Sequence, residues 1–268
     1  MRFHRRANLV YHAGDAVDVD YVAAVSELVS GQCRGAPIQW QITTPDKLWK
    51  VVTGGRSGIL GARLEGRVSC VKLYCDERLR TRVRVAIGRA KAKRAYHNGQ
   101  RLMQLGIPCA RMLGYAERRP TGPAMVIMEL IADGKRLDHW IAMCGVQREL
   151  VLTLARFIRT MHERGVSHKD LSPRNIMVRL TSKGLGLLLL DYEDVRFSRN
   201  LQRKPRLENL HHLHERLARR VSLRDRLRFL HEYVSRDYPA WRAELAARLA
   251  SSRSKYLQAP PRGDCADV

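Results

Sequence analysis

The sequence predicts an α+β protein, a β-rich part followed by a mainly helical one, in a chain long enough for one large domain or two closely packed lobes. Three observations carry this expectation. Residues 47–74 hold short apolar runs separated by glycine-containing turns, the mark of antiparallel strands. Leu150, Leu154, Phe157, Ile158 and Met161 recur at helical spacing further along, an apolar stripe that belongs to a core. Between the helical stretches lies a polar loop, His168-Lys169-Asp170-Leu171-Ser172-Pro173-Arg174-Asn175, followed by two short apolar strands and Asp191.

The elements follow in chain order. Residues 1–46 read as an N-terminal extension, in which Asp18 and Asp20 open a helix through Tyr21, Val22, Val25, Leu28 and Val29 that Gly31 ends. Leu48 to Val52 is a strand, Thr53 to Gly58 a turn, Ile59 to Leu64 its partner, and Val68 to Tyr74 a third strand after the turn at Glu65-Gly66-Arg67. Residues 78–105 are mainly helical and stop at Gly106-Ile107-Pro108. Met125 to Met128 is a buried strand leading to Glu129 and Leu130. Thr181-Ser182-Lys183-Gly184 joins Ile176–Leu180 to Leu185–Leu190 as a hairpin. The remainder is helical, with Ser222-Leu223-Arg224-Asp225 reading as a capping box. The expected division is an extension at 1–46, a β-rich part at 47–130, a helical part at 131–250 and a disordered Pro-rich tail at 251–268.

Composition narrows the partners. In 268 residues, 45% hydrophobic content is enough for a core, which excludes a disordered chain. A net charge of +23, with a pI near 10.6, makes the surface seek polyanions: nucleic acid, anionic lipid or phosphorylated glycolipid. Ten Lys/Arg and no Asp/Glu lie between Arg78 and Arg111, a stripe more one-sided than solubility requires. No RNA- or DNA-binding motif accompanies it, and few aromatics stand among the basic residues, so nucleic acid ranks low. The six cysteines contain no C-x-x-C pair and point to a reducing compartment. Neither a secretory signal nor a run of about 20 apolar residues is visible. The expectation is a cytoplasmic protein with peripheral contact to an anionic membrane surface. Nothing in the sequence speaks to oligomeric state.

The polar loop carries the chemistry. H-x-D-L-x-x-x-N, then a strand, a turn, a second strand and an Asp, sets two carboxylates and an amide at the spacing of a protein-kinase-type active site. Phosphoryl transfer needs a carboxylate to orient the attacking hydroxyl and oxygen ligands for Mg²⁺. Asp170 takes the first role, and Asn175 and Asp191 the second. A single loop Asp more often caps a turn; the downstream Asn175 and Asp191 reverse that preference. Lys72 lies mid-strand among apolar residues, where an ammonium is costly unless an anion meets it; the phosphates of ATP are that anion. Gly54, Gly55 and Gly58 let backbone N–H groups approach phosphate, although any hairpin favours glycine. His168 reads as a brace for the loop. His211, His212, His214 and Glu215 read as exposed helix residues rather than a zinc site.

These stretches resemble the lipopolysaccharide core kinases, the Kdo/WaaP family of the protein-kinase-like superfamily. The resemblance covers roughly Lys47 to Tyr233. It rests on Val71-Lys72-Leu73-Tyr74, Leu105-Gly106-Ile107-Pro108, His168 to Val178, Leu188 to Asp191, and the basic helix Ser222 to Leu230. It implies a bilobal kinase-like fold, ATP with Mg²⁺, and transfer of the γ-phosphate to a sugar hydroxyl of the lipopolysaccharide inner core at the inner face of the inner membrane. It aligns Lys72 with the ATP-binding lysine, Asp170 with the catalytic aspartate, Asn175 and Asp191 with the metal ligands, and Met128, Glu129 and Leu130 with the segment beside adenine.

Departures from the pattern frame the alternatives. The helix glutamate that pairs with the strand lysine falls on Ala95, so either another carboxylate substitutes, phosphates alone hold Lys72, or the protein is a weak or inactive kinase. Lys169 replaces the arginine of the H-x-D triplet and cannot make a bidentate fork onto a phosphorylated loop. Tyr192-Glu193 stand where other kinases have Phe-Gly, and no A-P-E follows. A RIO-like serine/threonine protein kinase and a nucleotide-binding pseudokinase are the competing readings.

Overall fold

The computed structural model describes residues 3–6, 9–14, 18–31, 47–54, 57–74, 90–118 and 124–234. The chain divides into two compact units, Met1–Asp133 with Leu188–Val195, and Gly134–Leu187 with Arg196–Val268. The first unit therefore takes back a short piece of chain that follows the hairpin of the second.

The first unit is built on a seven-stranded antiparallel sheet. Its strands are β1 (Phe3–Arg6), β2 (Leu9–Ala13), β3 (Leu48–Gly54), β4 (Ser57–Leu64), β5 (Arg67–Tyr74), β6 (Met112–Arg118) and β7 (Ala124–Glu129), in the order β1-β2-β6-β7-β5-β4-β3. The N-terminal segment is thus part of the sheet, because β2 pairs with β6 over Leu9↔Arg118 to Ala13↔Gly114. Helix α1 (Val19–Gly31) spans the residues that the sequence assigns to a helix. Its Tyr21, Val22, Val25 and Val29 pack on Leu60, Ala62, Val71, Leu73, Met125 and Ile127 of the sheet. Side chains alternate across a strand, so Val71 and Leu73 face this core while Cys70, Lys72 and Tyr74 point to the opposite face.

Helix α2 (Lys91–Gln104) packs against β5, β6, β7 and the turn after Asp191, burying Ala92, Ala95, Tyr96, Gly99 and Leu102. The expected helix over 78–105 agrees with the structure from Lys91 onward; residues 75–89 lie outside the described ones. Its end follows from Gly106, which adopts φ 64 and lets Gly106 and Ile107 donate back to the carbonyls of Met103 and Leu102 at 2.9 Å each. Strand β6 is not apparent in the sequence. Gly114 interrupts its apolar character, and a Cβ there would lie 2.5 Å from the His12 carbonyl oxygen and 2.7 Å from Val22 Cγ2, so the close approach of β2 and α1 requires glycine.

The second unit is mainly helical: α3 (Leu137–Cys144), α4 (Arg148–Glu163), α5 (Arg203–Leu217) and α6 (Leu223–Val234). Every residue of the predicted 150–161 stripe is buried on α4. Ser222 caps α6 as its motif predicts, with Asp225 N–H donating to Ser222 Oγ at 3.2 Å and Ser222 Oγ donating to Asp225 Oδ2 at 2.6 Å. Short strands β8 (Lys135–Arg136), β9 (Val166–His168), β10 (Ile176–Thr181) and β11 (Gly184–Leu189) frame the polar loop, β10 and β11 being the predicted hairpin. The tail at 251–268 lies outside the described residues. Among them, no helix is long and apolar enough to cross a membrane.

Gly165 links α4 to β9 and so aims the polar loop. It has φ 74, and Ser198 N–H donates to its carbonyl at 2.8 Å. A Cβ at this position would overlap the Ser198 carbonyl oxygen, whereas one at Gly145, φ 71, would meet nothing. Gly145, at φ 71 and ψ −173, sits in a region open essentially to glycine alone, so Gly145→Ala is expected to cost backbone strain of about 1–3 kcal/mol and nothing from collision. Gly165→Ala adds a backbone collision and should lower the melting temperature by clearly more, which parallel thermal melts will measure.

Candidate active site

Each unit carries one half of the predicted constellation. In the first, Lys72 extends from the middle of β5, and the chain beyond β11 returns with Asp191, Tyr192 and Glu193. Lys72 Nζ contacts Asp191 Oδ1, bringing together two predicted site residues 119 positions apart. It also donates to both oxygens of Glu193, at 2.9 and 3.0 Å. Tyr74, two residues on and therefore on the same strand face, donates its hydroxyl to Glu193 Oε2 at 2.9 Å. The ammonium is 16% exposed and the Glu193 carboxylate 9%, so the cluster is largely shielded from water.

The turn that presents these acids is braced on several sides. Asp191 takes the left-handed conformation, φ 62 and ψ 58, which Asp tolerates better than most residues and which reverses the chain after β11. Asn98 of α2 donates to the carbonyls of Tyr192, at 2.8 Å, and Val195, at 3.3 Å. The buried Tyr192 hydroxyl accepts the Ala110 N–H at 3.0 Å, and Leu189 N–H donates to the Pro108 carbonyl at 2.9 Å. The Leu105-Gly106-Ile107-Pro108 corner thus serves to seat the acidic turn.

Charge in this cluster does not balance. Burial alone lowers the Lys72 pKa, but Glu193 and Asp191 outweigh it and hold the ammonium protonated above its ordinary range. Burial pushes the Glu193 carboxyl up, with Lys72 opposing and Asp191 adding to the rise. Burial also raises Tyr74, keeping its hydroxyl a donor. One ammonium facing two carboxylates leaves excess negative charge, an environment that fits a hard cation on the acid oxygens. No group of three or more His, Cys, Asp or Glu side chains gathers as a metal cage among the described residues. Mg²⁺ typically needs only one or two protein carboxylates, with water and phosphate oxygens completing its shell.

In the second unit, η1 (Pro173–Asn175), a single 3₁₀ turn, folds Asn175 back so that its Nδ2 donates to the Asp170 carbonyl at 2.8 Å. An amide hydrogen makes this bond, so the Oδ1 lone pairs remain as a hard acceptor. Asp170 itself is exposed. His168 is fully buried, and its Nδ1 accepts the Asp170 N–H at 3.2 Å, the bracing role expected of it. Behind it stands Asn209 of α5, a residue the sequence reading missed. Its Oδ1 accepts His168 N–H at 3.0 Å and its Nδ2 donates to the His168 carbonyl at 2.6 Å, mimicking a strand partner. His162 completes the brace, 3.3 Å from Asn209 Oδ1 and 2.7 Å from the Tyr233 hydroxyl. The signal in the sequence was a polar residue beside the Leu207–Leu210–Leu213 stripe, next to histidines that drew attention instead. His211 pairs with Glu215 on the same helix at 3.1 Å.

The remaining predicted residues are distributed as follows. The β3–β4 hairpin is tighter than a six-residue turn, since Gly54 already pairs with Ser57 and Thr53 with Gly58. Gly58 lies buried inside β4, between β3 and β5, because the glycines extend the ladder rather than open it. Gly54 closes β3, and Gly55 lies outside the described residues. Met128 is buried at the end of β7, Glu129 is exposed with its N–H donating to the Arg111 carbonyl at 2.9 Å, and Leu130 is half-buried.

A strand lysine clasped by an acid on the turn after a hairpin, together with an H-x-D loop closed by its own asparagine, defines a kinase-like fold. A solved structure described as WaaP in complex with acyl carrier protein shares it, with a TM-score of 0.56 at 21% identity over 78% of this chain and 88% of that one. The family described as lipopolysaccharide kinase (Kdo/WaaP) matches residues 54–233, and the chain belongs to this family of phosphotransferases. A 3-deoxy-D-manno-octulosonic acid kinase of Haemophilus influenzae is 27% identical over 104 residues. That match spans 37% of this chain and 42% of the relative's length.

The buried His162 gives the brace a pH signature. Burial lowers its pKa to about 4 from an ordinary 6.5, with Arg206 adding to the drop and the Asn209 hydrogen bond opposing it. Between these values the unfolded chain binds the proton and the folded one does not. Stability from this group is therefore complete above pH 6.5 and falls as pH drops toward 4, by up to about 1.4 kcal/mol per pH unit. Thermal melts at pH 7.5, 6 and 5 should show the decline, and His162→Gln should make it shallower, leaving the part due to His214, which burial also lowers to about 4.

Proposed function

We propose that this protein is a Mg-ATP-dependent kinase that transfers the γ-phosphate of ATP to a sugar hydroxyl of the lipopolysaccharide inner core. The observation that carries the reading is the Lys72–Asp191 contact: a largely buried ammonium and an acid on a braced turn, in a chain of the lipopolysaccharide kinase family. Lys72 neutralises phosphate charge, and its three N–H donors suit oxygen ligands. Asp191 and Asn175 would each offer Mg²⁺ a hard oxygen, and the ion would supply neutralising charge to the phosphates of ATP. Asp170, exposed and held through its backbone by His168 and Asn175, orients the acceptor hydroxyl and receives its proton. Met128, Glu129 and Leu130 lie beside adenine. Gly54, at the end of β3, and Gly55 after it in the sequence offer the backbone approach to phosphate, with Gly58 supporting the strand beside Gly54.

The basic surface supports an anionic acceptor at a membrane. A net charge of +23 draws the protein to the cytoplasmic leaflet, where a glycolipid core with acidic sugars would be presented. The Haemophilus relative's name favours an acidic sugar as acceptor.

Asp170→Ala is expected to abolish phosphotransfer, by at least about 10²-fold, while sparing ATP binding. Asp191→Ala is expected to remove the Mg²⁺-dependent part of nucleotide binding. Turnover and binding assays on the two variants check this; parental turnover by Asp170→Ala would defeat the assignment. Incubation with γ-labelled ATP and a mixed pool of core glycolipid and protein should place label on the glycolipid. Label on polypeptide would favour a RIO-like protein kinase, and nucleotide binding without any transfer a pseudokinase.

A further inference from the structure

The kinase reading leaves Lys72 without its usual counter-charge on the helix. Position 95 on α2 is a fully buried alanine, and no acid occurs between Arg78 and Arg111. Glu193, for which that reading has no role, binds Lys72 through both oxygens and takes a third hydrogen bond from Tyr74. Its position is set independently of its own contacts: Asn98 holds the carbonyls of Tyr192 and Val195, and Ala110 N–H holds the Tyr192 hydroxyl. A 3₁₀ turn points successive side chains about 120° apart, so anchoring Tyr192 on one side directs Glu193 to another.

We infer that Glu193 is the positioning residue for Lys72, supplying from the acidic turn the counter-charge that the helix lacks at Ala95. Resting on the kinase reading, this assigns the two acids of the turn different tasks. Asp191 is the one to be shared with a cation; Glu193 keeps the ammonium in place when that sharing occurs. An ammonium has three donors, so Lys72 can satisfy both Glu193 oxygens and still offer one N–H to phosphate. Asn98 belongs to the same arrangement. It lies one turn beyond Ala95 on α2, and it grips the turn where a helix acid would have gripped the lysine.

The test is a double-mutant cycle read by Mg²⁺-dependent binding of a fluorescent ATP analogue, with thermal melts alongside. Glu193→Gln keeps shape and hydrogen-bonding capacity but removes charge. It should weaken binding about tenfold or more while melting within a few degrees of the parent. In a Lys72→Ala background the same change should have no further effect, because a residue acting through Lys72 has nothing left to position. Binding by Glu193→Gln within twofold of the parent, or an equal loss with and without Lys72, overturns the inference. Should Glu193→Gln fail to fold, Ala95→Glu combined with it decides the matter. A carboxylate returned from the helix should restore a folded, nucleotide-binding protein, and no recovery overturns the inference. Failure of the parent protein to bind the analogue at all would instead sink the kinase reading and this inference with it.

Discussion

A protonated lysine held out of water by two carboxylates is the constraint on which the first unit depends. Exposed ion pairs contribute little, but here the Lys72 side chain is 16% exposed and its Glu193 partner 9%, so removing Lys72 leaves a buried acid unmet, whereas Lys72 meets Asp191 as well as Glu193. The sheet brings Lys72 to the right face through strict alternation against the α1 core. The acidic turn is brought to it by helix α2 and the Pro108 corner. Sheet, helix and corner thus meet at one charge cluster, and each is anchored by backbone hydrogen bonds rather than by the charges themselves. That order matters. Charges seldom create a precise geometry, but a geometry fixed by packing can hold charges that would otherwise separate or neutralise.

The second unit solves a different problem. Its Asp170 is exposed and must be aimed without being buried. Two buried histidines and Asn209 do this from behind, gripping the backbone of His168 at both its N–H and its carbonyl, while Gly165 permits the chain to turn out of α4 at the required angle. The Asp170 side chain stays exposed, and the rigidity lies in the layer beneath it. Such an arrangement places the structural cost in buried groups that are hydrogen-bonded to one another, where it is small.

Much of this was legible in the chain because the relevant signals are local. The H-x-D-L-x-x-x-N spacing, the apolar strands before Asp191, the α4 stripe, the Ser222 cap and the Gly106 stop each depend on neighbours in sequence. Glu193 was not legible, although it stands two residues from a predicted ligand, because its meaning lies in Lys72 and Tyr74 on a strand some 120 residues away. Ala95 and Glu193 read as two separate departures in the sequence, and only the contact of Glu193 with Lys72 gives a reason to consider them together. Asn209 was hidden for the same reason: a polar residue on a helix reads as surface until the strand it completes is known. The N-terminal strands were read as an extension because their basic and histidine residues mask the period-two pattern, and β6 because Gly114 breaks it. In each case the missing information was a contact between distant parts of the chain.

In protein kinases at large, the lysine–glutamate pair joins a strand to a mobile helix, so displacing that helix disconnects the lysine and throttles the enzyme. Here the acid that holds Lys72 belongs to the same turn as Asp191, and helix α2 contributes an amide clamp instead. Swinging the helix outward would loosen both acids at once rather than uncouple one contact selectively. The lysine and both its acids are accordingly tied to the contacts that seat the turn, so the pairing comes with the fold of this unit rather than with the placement of one helix.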